Sequence, residues 1–569
     1  MGHAYEQYTA TYLKRQQGQF FTNRLVTDFM VSLLDPDYQD VILDPAGGSG
    51  GFLTATMRYI RQKILTREAT ETAKQRQLDQ HRTKLFMVEM SKRLVKIAKT
   101  AMILNGDGHA GMTQGDSLGV YSDLNEEIVA KCGRGKPKII VTNPPFAGVG
   151  EGRITDEKLL SNFQCGMKWT ERDGKYEMSN DVIEDGVPPE LLFFERCVDW
   201  LAPGGRLGIV LPKSFLDTQT YASARRLLFR QCKLLAVMNC HKNTFQPHTG
   251  VRTCLIFIEK LTASEVPPTD YPVFMAVSRK IGQDSEGVPL FRRDENNNPT
   301  DEIDHDLDEI LRDWKNFKAG KLVESEYRFS VSAAELCETY TINPQFYLPN
   351  LNRTIREIEA IDGKDGWSVV TLGQILAGVQ IFKGPRIKTE NLTADSDANG
   401  EILYYTPSAV LQEKSDSAKP INLARATEKQ LRTIEKLKVY RGDILITRSG
   451  TIGRVAYVTK RLDGEIISDD MIRVRIPEDF VRLYVYSFLQ TDFGLNQMLR
   501  NEYGSVQQHL EAKHVGGILI PVPPKWEHVS DIVDRVRRGI TAREMLEESN
   551  RLAFGQTVQL VRALSEAAA

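Results

Sequence analysis

Apolar residues occur in short runs at Val41–Pro45, Leu85–Glu89, Lys138–Phe146, Gly205–Pro212, Leu234–Cys240 and Cys254–Lys260. Amphipathic stretches separate most of them. The clearest, Glu190–Leu201, repeats its apolar positions at helical spacing before the turn Pro203-Gly204-Gly205. Strands alternating with helices predict an α/β fold with a doubly wound, mostly parallel sheet. The stretch Arg61–Lys84 is rich in Gln, Arg and Lys and predicts an exposed helical extension. Beyond Lys260 the pattern dissolves. Asp301–Asp313, with seven acidic residues against one basic, predicts a solvated helix face.

A second pattern starts at Trp367. Short β-rich pieces (EILYYTP, GDILITRSGTIGRVAYVTK, EIISDDMIRVRIP, GGILIPVPP) punctuated by Gly, Asp and Pro predict a mainly β domain. From Glu527 the chain reads as helical, with Val529, Ile532, Val533, Val536 and Ile540 on one stripe. The expected divisions are therefore a first domain over 1–260, a connecting segment over 261–364, a second domain over 365–525 and a helical segment over 526–569.

Composition changes this picture in a few places. The 569 residues leave room for several domains, and 41% hydrophobic with 26% charged residues is ordinary globular usage. The net charge of −2 conceals Ala424–Arg461, where ten Lys or Arg face three Asp or Glu. Seven cysteines without a CxxC pair argue against a disulfide framework and a zinc ribbon, and favour a reducing, cytoplasmic setting. No metal site is expected, and His241 and His248 read as structural. No apolar run approaches the roughly 18 residues of a membrane span, and the N-terminus lacks a signal peptide's apolar stretch.

Two turns carry chemistry. The run Val41–Pro45 stops at Asp44 and opens into Gly47-Gly48-Ser49-Gly50-Gly51 before a helix, which sets backbone N–H groups beside a nucleotide-like ligand. The spacing is not GxGxxG, and no P-loop lysine follows. Glu89, ending the next strand, can accept from two ribose hydroxyls. The sharper signal is Asn143-Pro144-Pro145-Phe146 at the end of a strand. Consecutive prolines cannot continue a ladder, so they make a rigid turn. The Asn143 side-chain carbonyl and the Pro144 carbonyl can both accept from one exocyclic amine and draw its nitrogen toward a nucleophilic geometry. Phe146 offers a face for an extruded base.

In register over Gln19–Lys260 stand GQFFTNR (Gly18–Arg24), DPAGGSGGFL (Asp44–Leu53), Glu89, GDSL (Gly115–Leu118), NPPF and FQPHTGVRTCLIFIEK (Phe245–Lys260). This order resembles the γ-type amino-methyltransferases of DNA, in particular the modification subunit of type I restriction systems. The resemblance implies a Rossmann-like methyltransferase sheet and S-adenosylmethionine as cofactor. It implies that the cofactor's methionine end lies near Gln19, Phe20, Phe21, Thr22 and the Gly48-Ser49-Gly50 turn. Glu89 would take the ribose and Asp116 the adenine, with Asp44, Ala46 and Met90 completing the surroundings. Asn143, Pro144, Pro145 and Phe146 would be the catalytic turn. Gly47 stands where the family often has Cys, and Asn23 where it often has Pro. The resemblance covers Gln19–Lys260, so a counterpart of the family's N-terminal helical domain is not expected from it, and the family's usual subunit assembly is not implied.

Residues Trp367–Pro524 resemble one target-recognition domain of a type I specificity subunit, through WxxVTLG, GDILITRSGTIGRVA, ISDD, GSVQQHL and ILIPVPP. Together the two resemblances imply site-specific methylation of adenine N6 in double-stranded DNA after base flipping. N4-cytosine methylation is the nearest alternative, and methylation of RNA or a protein amide a more distant one. No PD-(D/E)xK nuclease motif or helicase P-loop is present, so any cleavage would need a separate nuclease or translocase subunit.

Overall fold

A computed structural model of the chain describes residues 22–106, 111–147, 152–172, 175–262, 265–266, 268–387, 402–412, 418–500 and 509–568. The chain divides into two compact units, Met1–Pro349 and Asn350–Ala569.

The strands of the first unit are β1 (Ile42–Asp44), β2 (Leu85–Glu89), β3 (Met112–Gln114), β4 (Ile139–Thr142), β5 (Met167–Arg172), β6 (Lys175–Val182), β7 (Arg206–Pro212), β8 (Cys232–Asn239), β9 (Thr253–Lys260), β10 (Pro272–Val277), β11 (Phe291–Arg293), β12 (Pro299–Ile303) and β13 (Arg328–Ser332). Nine of them form one sheet in the order β13-β10-β8-β9-β7-β4-β1-β2-β3, while β5–β6 and β11–β12 are separate antiparallel pairs. Within the sheet β9 runs antiparallel to β7 and β8, and β13 antiparallel to β10; the other pairings are parallel. Strands β1, β2 and β4 are buried along their whole length, which is why they read as continuous apolar runs rather than alternating ones.

Helices cover the sheet because their apolar stripes have nowhere else to go. Arg24–Leu34 buries Val26, Phe29, Met30, Leu33 and Leu34, and Gly51–Leu65 buries Phe52, Leu53, Met57, Ile60 and Ile64 in the same core. Fully burying each such side chain contributes roughly 1.5–3 kcal/mol. The chain passes from β1 outward through β2 and β3, then returns to the other side of β1 with β4 and β7. The order therefore reverses between β1 and β4, the place where an open α/β sheet leaves a crevice at its strand ends. Asp44 and Asn143 stand at those ends.

The sheet does not stop at Lys260. Strands β10 and β13 add an edge to it, and the helix Leu307–Lys318 buries Leu307, Ile310 and Trp314 in the core, so 261–349 belongs to the first unit. The polar stretch 261–271 and then the polar β11–β12 pair interrupt the apolar pattern there and mask the continuation. The acidic run is also divided. Its first part is strand β12, and Asp306 is buried, accepting from the Ser278 hydroxyl at 2.8 Å and the Arg279 N–H at 2.6 Å. Within the expected extension, the helix Glu71–Arg82 is largely exposed, with His81 buried.

In the second unit, β14 (Ser368–Thr371) pairs with β22 (Leu519–Val522). Strands β15 (Gln380–Lys383), β21 (Met471–Arg475), β18 (Ile444–Thr447) and β19 (Val455–Tyr457) form a four-stranded sheet, and β17 (Lys419–Ile421), β16 (Ile402–Tyr405) and β20 (Ile466–Ile467) a three-stranded one. A helix over Ser530–Ala568 closes the chain. Val529 and Val533 enter the unit's own core with Val536 and Ile540 against it, whereas Ile532 is exposed. From Glu548 onward every described helix residue is exposed, Phe554 and Leu564 included. Among the described residues no helix is long and apolar enough to cross a membrane.

Candidate active site

The ends of β1, β2 and β4 surround a pocket of about 370 Å³. Its wall brings together Ala46 and Gly48 of the first turn, Glu89 and Met90 at the end of β2, Asp116 of the GDSL turn, and Asn143, Pro144, Pro145 and Phe146 after β4. Leu94, Leu118, Ile154, Leu159, Pro189 and Phe193 supply most of the remaining apolar surface. Thr22 and Ser49 line a separate cleft of about 210 Å³. Gly50, at φ 84°, is the N-cap of the helix Gly51–Leu65, a left-handed conformation that favours glycine. Gln19, Phe20 and Phe21 lie outside the described residues.

Asp44 does not line the pocket. It is 1% exposed and accepts from the Ala46 N–H at 3.1 Å, so it shapes the turn from beneath. Burial pushes its carboxyl up to about 7; the Thr142 hydroxyl and Ala46 N–H pull the other way, and the Glu89 carboxylate adds to the rise. Gly47 has a packing reason of its own. A Cβ there would stand 2.0 Å from Cγ of Met87, so a larger residue would require Met87 to move.

Glu89 binds the walls together. One carboxylate oxygen accepts from the Gly48 N–H at 3.0 Å and the other from the Ser91 N–H at 2.9 Å. Each oxygen retains a second lone pair, enough for two ligand hydroxyls. The Ser117 hydroxyl donates to the Pro45 carbonyl at 2.6 Å, and Asp116, itself exposed, accepts from the Leu118 N–H at 2.9 Å. The GDSL turn is thereby fastened to the glycine turn.

Asn143 is oriented by a partner 121 residues earlier. Its side-chain nitrogen donates to the Thr22 hydroxyl at 3.0 Å, while its buried Oδ1 has no hydrogen-bond partner among the described residues. An orphaned buried acceptor is costly unless a ligand satisfies it. Phe146, half-buried, packs against the core beside it.

The helix Pro189–Trp200 holds residues that sequence reasoning passed over. All but Asp199 are buried, including three charged side chains. Glu190 accepts from the Ala147 N–H at 3.1 Å and the Tyr221 hydroxyl at 2.6 Å. Glu195 accepts from the Gln164 and Cys165 N–H groups, both at 2.8 Å. Arg196 donates to the carbonyls of Leu118 at 2.8 Å and Gly119 at 3.0 Å, its guanidinium lying 4.5 Å from the Tyr121 ring centre and 4.8 Å from that of Phe163. Burial raises the Glu190 and Glu195 carboxyls from their ordinary value. The available signal was charge inside the apolar run ELLFFERCVDWL, since buried charges are expected to be paired.

The basic stretch of the second unit is partly neutralised. Arg441 makes a two-pronged pair with Glu544, both bonds at 2.8 Å, and Arg461 lies 3.6 Å from Glu547. Arg432 and Lys438 pair with Glu428 and Glu435. Lys429, Lys436, Arg454 and Lys460 are exposed and make no ion pair among the described residues. Of the GSVQQHL segment, His509 and Leu510 are described and the rest lies outside. Among the described residues no cluster of three or more His, Cys, Asp or Glu could hold a metal ion.

The sequence profile named N-6 DNA Methylase matches residues 1–349, and the type I restriction modification DNA specificity domain matches 364–548. The type I restriction enzyme EcoEI methylase subunit of Escherichia coli is 28% identical over 247 residues, 43% of this chain and 42% of that protein. The type II restriction enzyme and methyltransferase RM.BcgI of Heyndrickxia coagulans is 25% identical over 244 residues, 42% of this chain and 31% of that one. The chain thus spans less than half the length of these curated relatives. A type I restriction-modification methyltransferase subunit from Streptococcus thermophilus aligns over 60% of this chain and 62% of its own, with 19% identity and a TM-score of 0.41. Because the first of these profiles runs through the whole sheet unit and well past the middle of the chain, the chain belongs to the N-6 DNA Methylase family.

Proposed function

We propose that the chain is a site-specific DNA methyltransferase that modifies the N6 amine of an adenine flipped out of double-stranded DNA, with S-adenosylmethionine as methyl donor. One observation carries the reading. The amide of Asn143 is turned by Thr22 so that a buried acceptor without a partner among the described residues stands in the same turn as Phe146. A base amine is the donor that such an acceptor suits.

The pocket's chemistry fits an adenosine-bearing cofactor. Met90, Leu94 and Leu118 offer apolar surface for a purine, Asp116 a carboxylate near its amine, and Glu89 free lone pairs for ribose hydroxyls. S-adenosylmethionine, when bound, supplies an electrophilic methyl group. The chain's part is to hold the nucleophile. Asn143 Oδ1 and the Pro144 carbonyl would accept hydrogen bonds from the two amine N–H groups, which localises the nitrogen lone pair, and Phe146 would stack on the base. No side chain forms a covalent bond, and most of the acceleration comes from alignment of the reacting atoms.

Sequence choice falls to the second unit, whose exposed Lys429, Lys436, Arg454 and Lys460 suit phosphate contacts. Methylation-sensitive long-read sequencing of DNA from a host expressing the chain tests the reading. N6-methyladenine at one recurring sequence is expected. N4-methylcytosine would transfer the reading to the other amine-bearing base, and unmodified DNA would refute it.

A further inference from the structure

Pro144 and Pro145 carry no N–H, so the segment that presents the acceptors and the stacking ring cannot fasten itself through two of its own amides. The Asn143 side chain holds its entry through Thr22. Its exit is held by Glu190, whose carboxylate accepts from the Ala147 N–H at 3.1 Å. Glu190 is 1% exposed and is not part of the pocket wall, although its neighbour Pro189 and Phe193 one turn on are. Its other oxygen accepts from Tyr221 at 2.6 Å, which fixes the carboxylate's rotation. Leaving a carboxylate this deeply buried is unfavourable, and a charge-assisted bond to a backbone N–H is the kind of contact that offsets it.

We propose that Glu190 is a positioning residue for methyl transfer: by gripping Ala147 it sets the pose of the Asn143–Phe146 turn against the flipped base. The proposal rests on the methyltransferase reading above. Glu190 meets neither base nor cofactor, so its loss loosens the turn without touching Glu89, Asp116 or the glycine turn. A displacement of the acceptors by about 1 Å is enough to cost on the order of 100-fold in rate.

The test uses the full chain and a duplex carrying the sequence that the wild type methylates. Glu190→Ala removes the tether. Glu190→Gln retains the shape and one acceptor for Ala147, with the amide nitrogen able to donate to the Tyr221 oxygen, but replaces a charged bond with a weaker neutral one. With Glu190→Ala, kcat is expected to fall about 100-fold and with Glu190→Gln about 5-fold, with the S-adenosylmethionine Kd within about twofold of wild type in both. A second readout is 2-aminopurine at the target position. Its fluorescence rise on binding should shrink in the same order, which a change in overall stability alone would not produce. A kcat within twofold of wild type for Glu190→Gln and for any folded Glu190→Ala overturns the proposal. So does a cofactor Kd that worsens in step with kcat. Should Glu190→Ala fail to fold, the kcat and fluorescence of Glu190→Gln decide alone. A wild type that methylates no DNA overturns the underlying reading, and the proposal with it.

Discussion

Replacing Asp44 by Asn should remove one defined component of the acid-side pH dependence of the first unit's stability, alongside those of the other buried carboxyls Glu190, Glu195 and Asp217. The carboxyl is 1% exposed at the end of β1, and burial raises it from an ordinary 3.8 to about 7. Between about pH 4 and 7 the folded chain keeps a proton that the unfolded chain has released. Stability therefore falls as pH rises through that window and levels off above 7. A rise of this size corresponds to about 4 kcal/mol at most, since each pH unit is worth about 1.4 kcal/mol. Asparagine reproduces the protonated form: its carbonyl can still accept from the Ala46 N–H, and its NH₂ can face the Thr142 hydroxyl. The assay is denaturant unfolding at intervals from pH 5 to 8, followed by a signal from the first unit, because the two units need not melt together. The variant should gain on the wild type as pH rises, by about 2–3 kcal/mol between pH 5 and 7. A difference between the two proteins that stays constant over this range refutes the reasoning.

Thr22→Val should lower kcat about 10-fold while leaving DNA binding unchanged, because Asn143 loses the acceptor that fixes its amide and can present NH₂ to the target amine; an unaltered single-turnover rate would show that the amide is held by something else. Phe146→Ala should weaken capture of the extruded base by about 1–3 kcal/mol in a competition assay, with cofactor affinity unchanged. Glu89→Ala should weaken cofactor binding at least about 10-fold in calorimetry, since it removes both the candidate ribose acceptor and the partner of the Gly48 N–H; an equal Kd would place the ribose partner elsewhere. In the second unit, a chain ending at Glu548 should melt like the full one, whereas a chain ending at Ala542 loses Glu544 and Glu547, strips Arg441 of its two-pronged partner, and should be less stable by on the order of 2 kcal/mol.

The layers, and the chemistry that sits on neighbouring residues, can be read along the chain. Buried strands must be apolar throughout, so β1, β2, β4, β7, β8 and β9 could be read directly, and the turns that interrupt them declare themselves by Gly and Pro. Asp44, Glu89 and Asn143 were legible because each ends such a strand. What those groups do to one another depends on contacts between distant parts of the fold. Thr22 orients Asn143 across 121 residues, and Glu190 reaches Ala147 across 43. Asp44 stands below the pocket rather than in it, and Thr22 and Ser49 open onto a different cleft. Within the basic stretch Ala424–Arg461, Arg441 and Arg461 are paired with Glu544 and Glu547, which stand about 100 and 86 residues further along the chain and leave no mark in the local charge count. Strands β10 and β13 were missed because the polar, proline-bearing stretch 261–271 cuts β10 off from β9 and the polar β11–β12 insertion cuts β13 off from β10. Burial and local turn geometry leave a periodic trace in the chain. A hydrogen bond or ion pair between distant residues leaves none, because any carboxylate can accept from any donor that the fold brings within 3 Å.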